Sequence, residues 1–365
     1  MLVGPPSNRH RGCTARRQYL AKKAGNTIES KQVLDDPMGR RVSYLRLSVT
    51  DRCNYRCVYC MPESGIELRP SRDLLTFEEI ERVVRALAAF GVRRVRITGG
   101  EPLVRKNIPE LVSRLVRIEG VDQVLMTTNA HLLAENAQAL RDAGLAGLTV
   151  SIDSLDPSRF SRISRGGELS KVVAGIDAAS RAGFEEIKTN TVVIRGFNDD
   201  ELIQMTRWAL ERGVTPRFIE FMPIGAETLW RKNGTACVSA LEMRAVLNVP
   251  FNMVALGIEA SAGPARYFSL SGPGVAAGAR LGIISAVTEC FCDACNRIRI
   301  TPQGGVRACL ADDREVAIRD ALRAGIGDDE LVAMVKASLG SKLPSHSFDI
   351  RGGVTTTKQM VSIGG

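Results

Sequence analysis

From residue 42 to about residue 222, short β-rich runs alternate with longer amphipathic stretches. The first apolar run covers 42–49 (VSYLRLSV). A helix is predicted from Thr76, where T-F-E-E lets the threonine cap the helix while Glu79 reaches back. Ile80, Val83, Val84 and Leu87 then fall at i, i+3, i+4 and i+7, one face of a helix that Gly91 ends. The alternation continues. Further strands are predicted over 92–98, 123–128, 148–152, 186–194 and 217–222. Helices are predicted over 108–118, before Gly144, over 170–181, and from a start at Asn198 with Glu201.

Six such alternations imply right-handed parallel βαβ units. The expected fold is α/β, a partial (βα)6 TIM-like barrel that falls short of the eight units closing a full one. A smaller C-terminal region is expected to close the open side. Ligands of such sheets sit at the carboxyl ends of the strands, and the chemically suggestive residues fall there. They are the cysteine loop after strand one, Gly99-Gly100-Glu101 after strand two, Thr127-Thr128-Asn129 and Ser151-Ile152-Asp153-Ser154. The expected organisation is a flexible basic arm over 1–37, the partial barrel over 38–224, the C-terminal region over 225–340, and a thin polar tail over 341–365.

Hydrophobic residues make up 44% of the 365 and charged residues 24%, enough for a sizeable core and against global disorder. No apolar run approaches the ~20 residues that span a bilayer, and no signal-peptide pattern opens the chain, so the expected location is cytoplasmic, with no membrane partner. The net charge of +9 invites a nucleic-acid reading. However, residues 1–41 hold nine Lys/Arg against three acids, so most of the excess sits in the arm. Aromatics are only 5%, and a nucleic-acid-binding module would need a basic face interleaved with them.

The cysteines change the picture most. Cys53, Cys57 and Cys60 form C-x3-C-x2-C, and Cys292, Cys295 and Cys309 form C-x2-C-x13-C. Cys13, Cys237 and Cys290 stand apart, and Cys290 reads as a small apolar filler. An odd count and two distant trios argue for iron–sulfur or metal ligation in a reducing compartment rather than a disulfide framework. Three thiolates on a four-iron cluster leave one iron for an exogenous ligand. An amine plus a carboxylate, as in the methionine end of S-adenosylmethionine, would fill it. Beside the second trio, Arg297 and Arg299 point the same way if extended and suggest an anionic ligand such as a triphosphate.

C-N-Y-R-C-V-Y-C at 53–60 with G-G-E-P at 99–102 resembles the radical S-adenosylmethionine superfamily. By that resemblance Tyr59, Gly100, Ser151 and Met222 line the cofactor. R-I-T-G-G-E-P-L-V-R, V-S-I-D-S-L, F-I-E-F-M-P-I-G, F-C-D-A-C-N-R-I-R and the terminal Gly-Gly are similar to the GTP 3′,8-cyclase family of molybdenum cofactor biosynthesis, over roughly 38–365. That resemblance implies two 4Fe-4S clusters, the first cleaving S-adenosylmethionine to a 5′-deoxyadenosyl radical that abstracts the C3′ hydrogen of GTP before attack on C8. The second cluster would hold the purine. It also implies GTP contacts from Arg46, Arg96, Thr127, Lys188 and the Arg297-Ile298-Arg299 segment, and a catalytic role for Gly364 and Gly365.

The chemistry agrees with those contacts, since Arg46, Arg96 and Lys188 lie in barrel strands, where an unpartnered charge is costly. The expected partners are GTP, with Mg²⁺ compatible, an external electron donor and a downstream cyclic pyranopterin monophosphate synthase; a homodimer is allowed. One departure stands out: Ala130 follows Asn129 where the family usually has Gly, a strain of roughly 1 kcal/mol if that position needs a positive φ. The alternative is a radical S-adenosylmethionine enzyme with an auxiliary cluster that acts on a peptide or another substrate.

Overall fold

The computed structural model describes residues 33–225, 236–257, 263–348 and 356–364. Most of the basic arm lies outside the described residues. Six strands run parallel in chain order: β1 (Tyr44–Ser48), β2 (Arg94–Thr98), β3 (Gln123–Thr128), β4 (Gly147–Ser151), β5 (Ile187–Val193) and β6 (Arg217–Glu220). The helices between them are α1 (Phe77–Ala89), α2 (Ile108–Val116), α3 (Leu133–Asp142), α4 (Pro157–Ser164), α5 (Leu169–Arg181) and α6 (Leu202–Glu211). The capping box at Thr76 and Glu79 is formed, and Ile80, Val83, Val84 and Leu87 are buried as their spacing requires.

Two local readings differ. The extra helix α4 follows β4, capped by the Asp156 side chain with Pro157 at its first turn, a start signal the strand–helix alternation concealed. Asn198 and Glu201 do not form a helix cap. Asn198 instead donates to the carbonyls of Asp153 and Val192, and Glu201 accepts from Ser154 Oγ and the Leu155 amide. Both side chains tie down the loop after β4, a tertiary use that outcompetes the local cap.

The parallel run is open. The C-terminal strands β7 (Asn252–Ala255), β8 (Arg266–Ser271), β9 (Arg280–Ile284), β10 (Arg297–Ile300), β11 (Gly305–Arg307) and β12 (Val316–Ala317) extend both its edges. β10 pairs parallel with β1, and β9 parallel with β6, so neither end of the (βα)6 run is a bare edge. Helices α7 (Ala240–Leu247), α8 (Arg319–Arg323) and α9 (Asp328–Gly340) complete this region. Along β1 and β2, Leu45, Leu47, Val95 and Ile97 are buried in the core, and the intervening Arg46 and Arg96 take the opposite face. Among the described residues no helix is long and apolar enough to cross a membrane.

Candidate active site

The loop after β1 carries Cys53, Cys57 and Cys60, and the three sulfurs are close enough to repel one another as thiolates. Burial, then neighbouring charge, pushes Cys53 up to about 11 and Cys60 up to about 12, and Cys57 well above the ordinary thiol range. Such thiols ionise when a cation compensates them, as cluster iron would. The second trio also couples, Cys292 feeling Cys295 and Cys309. There the balance is reversed at Cys295: burial opposes ionisation, but Arg297 and Lys342 outweigh it and bring the thiol down to about 7. Among the described residues no three Cys, His, Asp or Glu gather around a single-ion position. In each trio the sulfurs feel one another's charge, as thiolates gathered in one place do. Cys290 is disulfide-bonded rather than an apolar filler, so it offers no further thiolate.

The glycine pair after β2 supports the first loop directly. Gly100 N donates to Thr50 O at 2.7 Å and Glu101 N to Arg52 O at 2.8 Å. A Cβ on Gly100 would lie 2.3 Å from the Arg52 carbonyl oxygen, so only glycine allows the two backbones to approach. Glu101 is buried and accepts from Thr128 Oγ1 at 2.7 Å, the Asn129 amide at 2.6 Å and the Leu103 amide at 3.0 Å. Asn129 continues to Asn54, next to Cys53. Thus the carboxyl ends of β2 and β3 fix the cysteine loop. Ala130 has φ 61°, so the strained conformation anticipated there is present.

Tyr59 donates its hydroxyl to Asp153 at 2.7 Å, and Asp153 also accepts from the Val192 amide. Ser151 ends β4 opposite Asn190 of β5. Met222 packs against an apolar group of Ile224, Phe348 and Ile363 beyond β6.

Inside the barrel run lies a cavity of about 150 Å³. Arg46, Arg96, Thr127, Lys188 and Arg297 all line it, as do Arg94, Arg217 and Arg280, and Glu186 is the one acidic side chain among the lining residues. Burial and the neighbouring guanidiniums hold Arg46 down at about 10, and the same causes lower Arg299 further. Glu186 pairs with Lys188, and the neighbouring guanidiniums weigh against one another's charge. Ile298 sits apart: it is fully buried, and its side chain packs in the core, since alternation along β10 sends it away from Arg297 and Arg299. Arg299 pairs in register with Arg46, and both donate to the carbonyl of Gly364. Gly365 lies outside the described residues.

Arg94, Arg217 and Arg280 were missed by the sequence reading. Arg217 opens a barrel strand, so the burial argument that supported Arg46, Arg96 and Lys188 applies to it equally. Arg280 belongs to β9, which the Gly- and Pro-rich stretch around it disguised.

An open, mainly parallel sheet carrying a C-x3-C-x2-C loop beside a G-G-E turn defines a radical S-adenosylmethionine protein. Residues 47–209 match the Radical SAM superfamily, and residues 214–348 match Molybdenum Cofactor Synthesis C. The fold is similar to that of Streptococcus suis SuiB bound to S-adenosylmethionine, with a TM-score of 0.53 and 14% identity over 76% of this chain and 64% of that one.

The chain is 43% identical to the GTP 3′,8-cyclase of Pelotomaculum thermopropionicum, over 91% of this chain and 100% of that protein. It is 44% identical to the GTP 3′,8-cyclase of Rhodopirellula baltica over 91% of this chain and 92% of that protein. The chain belongs to the GTP 3′,8-cyclase family.

Proposed function

We propose that this protein converts GTP to (8S)-3′,8-cyclo-7,8-dihydroguanosine 5′-triphosphate, the first step of molybdenum cofactor biosynthesis. The observation that carries the reading is the arginine- and lysine-lined cavity bordered by Arg297, two residues from Cys295. When bound, the two iron–sulfur clusters supply the electron that cleaves S-adenosylmethionine and an iron site for the purine. The rest is the chain's own work. Arg46, Arg96, Lys188 and Arg217 hold the triphosphate, alone or with Mg²⁺, by charge-assisted hydrogen bonds in a dry site. Arg297 and Arg299 orient the nucleotide beside the second trio. Tyr59, Gly100, Ser151 and Met222 form the S-adenosylmethionine side, with Tyr59 held in place by Asp153.

Ile298 contributes through its backbone, its side chain being in the core. Gly364 brings a thin end of chain to Arg46 and Arg299, and the catalytic role of Gly364 and Gly365 follows the family resemblance. An external electron donor and a downstream cyclic pyranopterin monophosphate synthase complete the reading. Incubation under argon with dithionite, S-adenosylmethionine and GTP tests it. Mass analysis should reveal a nucleotide isomeric with GTP and an equivalent of 5′-deoxyadenosine. Formation of 5′-deoxyadenosine with GTP recovered unchanged overturns it.

A further inference from the structure

The C-terminal segment is anchored at two points, and only one of them meets a residue that lines the cavity. At the cavity, the Gly364 carbonyl accepts from Arg46 Nε and Nη2 at 3.3 and 3.2 Å and from Arg299 Nη1 at 3.0 Å. At the other end, one Asp313 carboxylate takes two consecutive threonines. Its Oδ1 accepts the Thr356 hydroxyl, and its Oδ2 accepts the Thr357 amide at 3.0 Å and the Thr357 hydroxyl at 3.2 Å. The backbone of Thr356 is held as well, its carbonyl accepting from the Gly225 amide at 3.2 Å. Two residues beyond Asp313, Glu315 pairs with Lys358 at 2.5 Å.

The loop that grips the tail starts at Cys309, a residue of the second trio. Behind it lies Arg307, fully buried, with its guanidinium 3.8 Å from Asp313 and 3.5 Å from Glu315. Arg307 is the antiparallel register partner of Arg299. One pair of facing strands therefore carries both anchors: Arg299 meets the end of the tail, and Arg307 backs the acids that hold its beginning. Between the anchors, Val361 lies beside Cys60, and Met360, Leu310 and Ala311 pack against the apolar group that holds Ile363.

We propose that Asp313 is a positioning residue for the cyclisation. By clamping Thr356 and Thr357 it fixes how far the remaining chain extends, and so seats the Gly364 carbonyl against Arg46 and Arg299. Three contacts on one carboxylate set this length more tightly than the apolar packing alone, which has no register. The inference rests on the proposed role of the tail in the cavity.

The test uses the full-length, cluster-loaded protein and its Asp313→Ala and Asp313→Asn variants, read by amide hydrogen exchange and by product analysis. In the alanine variant, exchange over 356–364 is expected to accelerate by about tenfold or more, with β10 as slow as before. The ratio of cyclised nucleotide to 5′-deoxyadenosine should fall. The asparagine variant keeps one acceptor oxygen and should lie between. Unchanged exchange in the tail, or equal acceleration of tail and β10, overturns the proposal. Should Asp313→Ala fail to fold, Thr356→Val removes one contact and leaves the loop intact, and the same exchange criteria apply. The exchange result stands independently of GTP turnover, so failure of the latch and failure of the cyclase reading are distinguishable.

Discussion

Arg96 and Arg217 donate to the same hydroxyl: Thr149 Oγ1 accepts from Arg96 Nη1 at 2.9 Å and from Arg217 Nη2 at 3.0 Å. These residues come from β2 and β6, and they meet at the central strand β4. Among the described residues neither forms an ion pair, and Arg217 Nε is buried without a hydrogen-bond partner. Two buried guanidiniums converging on one neutral acceptor are far from electrostatic balance. Their side chains border the cavity, where the proposed triphosphate would supply the opposing charge.

Replacing Arg217 with methionine should therefore have opposite effects in two measurements. The ligand-free protein should melt at a higher temperature, because burial and the charge of Arg96 both weigh against the Arg217 guanidinium. GTP affinity should weaken by about 1.5–3 kcal/mol, the loss of one charge-assisted hydrogen-bonding group. Thermal melts with and without GTP, together with calorimetric titration, separate the two. A lower melting temperature with unchanged affinity would make Arg217 a purely structural residue.

Gly100→Ala should dismantle the first cysteine loop while sparing the second. The added Cβ would meet the Arg52 carbonyl carbon at 2.6 Å as well as its oxygen, both backbone atoms with no rotamer to escape into. The loop would have to move away from β2, and with it Cys53. Iron content after anaerobic reconstitution is expected to drop from about eight to about four per chain. Retention of all the iron would show that the loop tolerates a wider gap.

The backbone order of the barrel was legible in the sequence because it rests on local signals. The capping box at Thr76, the i, i+3, i+4, i+7 stripe of α1 and the six β-rich runs each act within a dozen residues. Placement of the arginines was legible in part. Arg46, Arg96 and Lys188 were named from the family resemblance, and the cost of a charge in a parallel strand agreed with them. The roles of Asn198 and Glu201 were not legible, because both residue types are good cap formers and only tertiary contact with the loop after β4 decides between the uses. The parallel pairing of β10 with β1 was also hidden: it joins residues some 250 positions apart, and nothing local encodes it. That pairing is what brings Arg299 opposite Arg46.

Glu101 gives the fold a pH signature. Burial pushes its carboxyl from the ordinary 4.5 up to about 7, against the donors Asn129, Thr128 and Leu103 that favour the charged form. A carboxyl whose folded pKa is raised costs stability when ionised. The cost is absent below about pH 4.5, grows as pH rises toward 7, and is complete above that. Its upper bound is roughly 3 kcal/mol at about 1.4 kcal/mol per unit. Glu101→Gln removes the titration and also one acceptor, for the Asn129 amide. Hence the stability advantage of the natural protein over the variant, measured by urea midpoints, should shrink as pH rises from about 4.5 to about 7. A difference that stays flat over this interval would show that Glu101 titrates normally.

The two cysteine trios should separate by their consequences. Cys57 lies beside the Tyr59–Asp153 pair, and Cys57→Ser should abolish 5′-deoxyadenosine formation. GTP binding should persist, because the arginine-lined cavity is built from β1, β2, β3, β5, β6, β8, β9 and β10 rather than from that loop. Cys309→Ser acts at the opposite end of the substrate. It should leave reductive cleavage of S-adenosylmethionine measurable and weaken GTP binding, since Arg297 and Arg299 are held by the strand that follows Cys295. In each variant the iron count should fall by about four. Cleavage persisting in Cys57→Ser would mean that the first ligand set is misassigned. Cleavage lost in Cys309→Ser with GTP affinity intact would reverse the division of labour between the two sites.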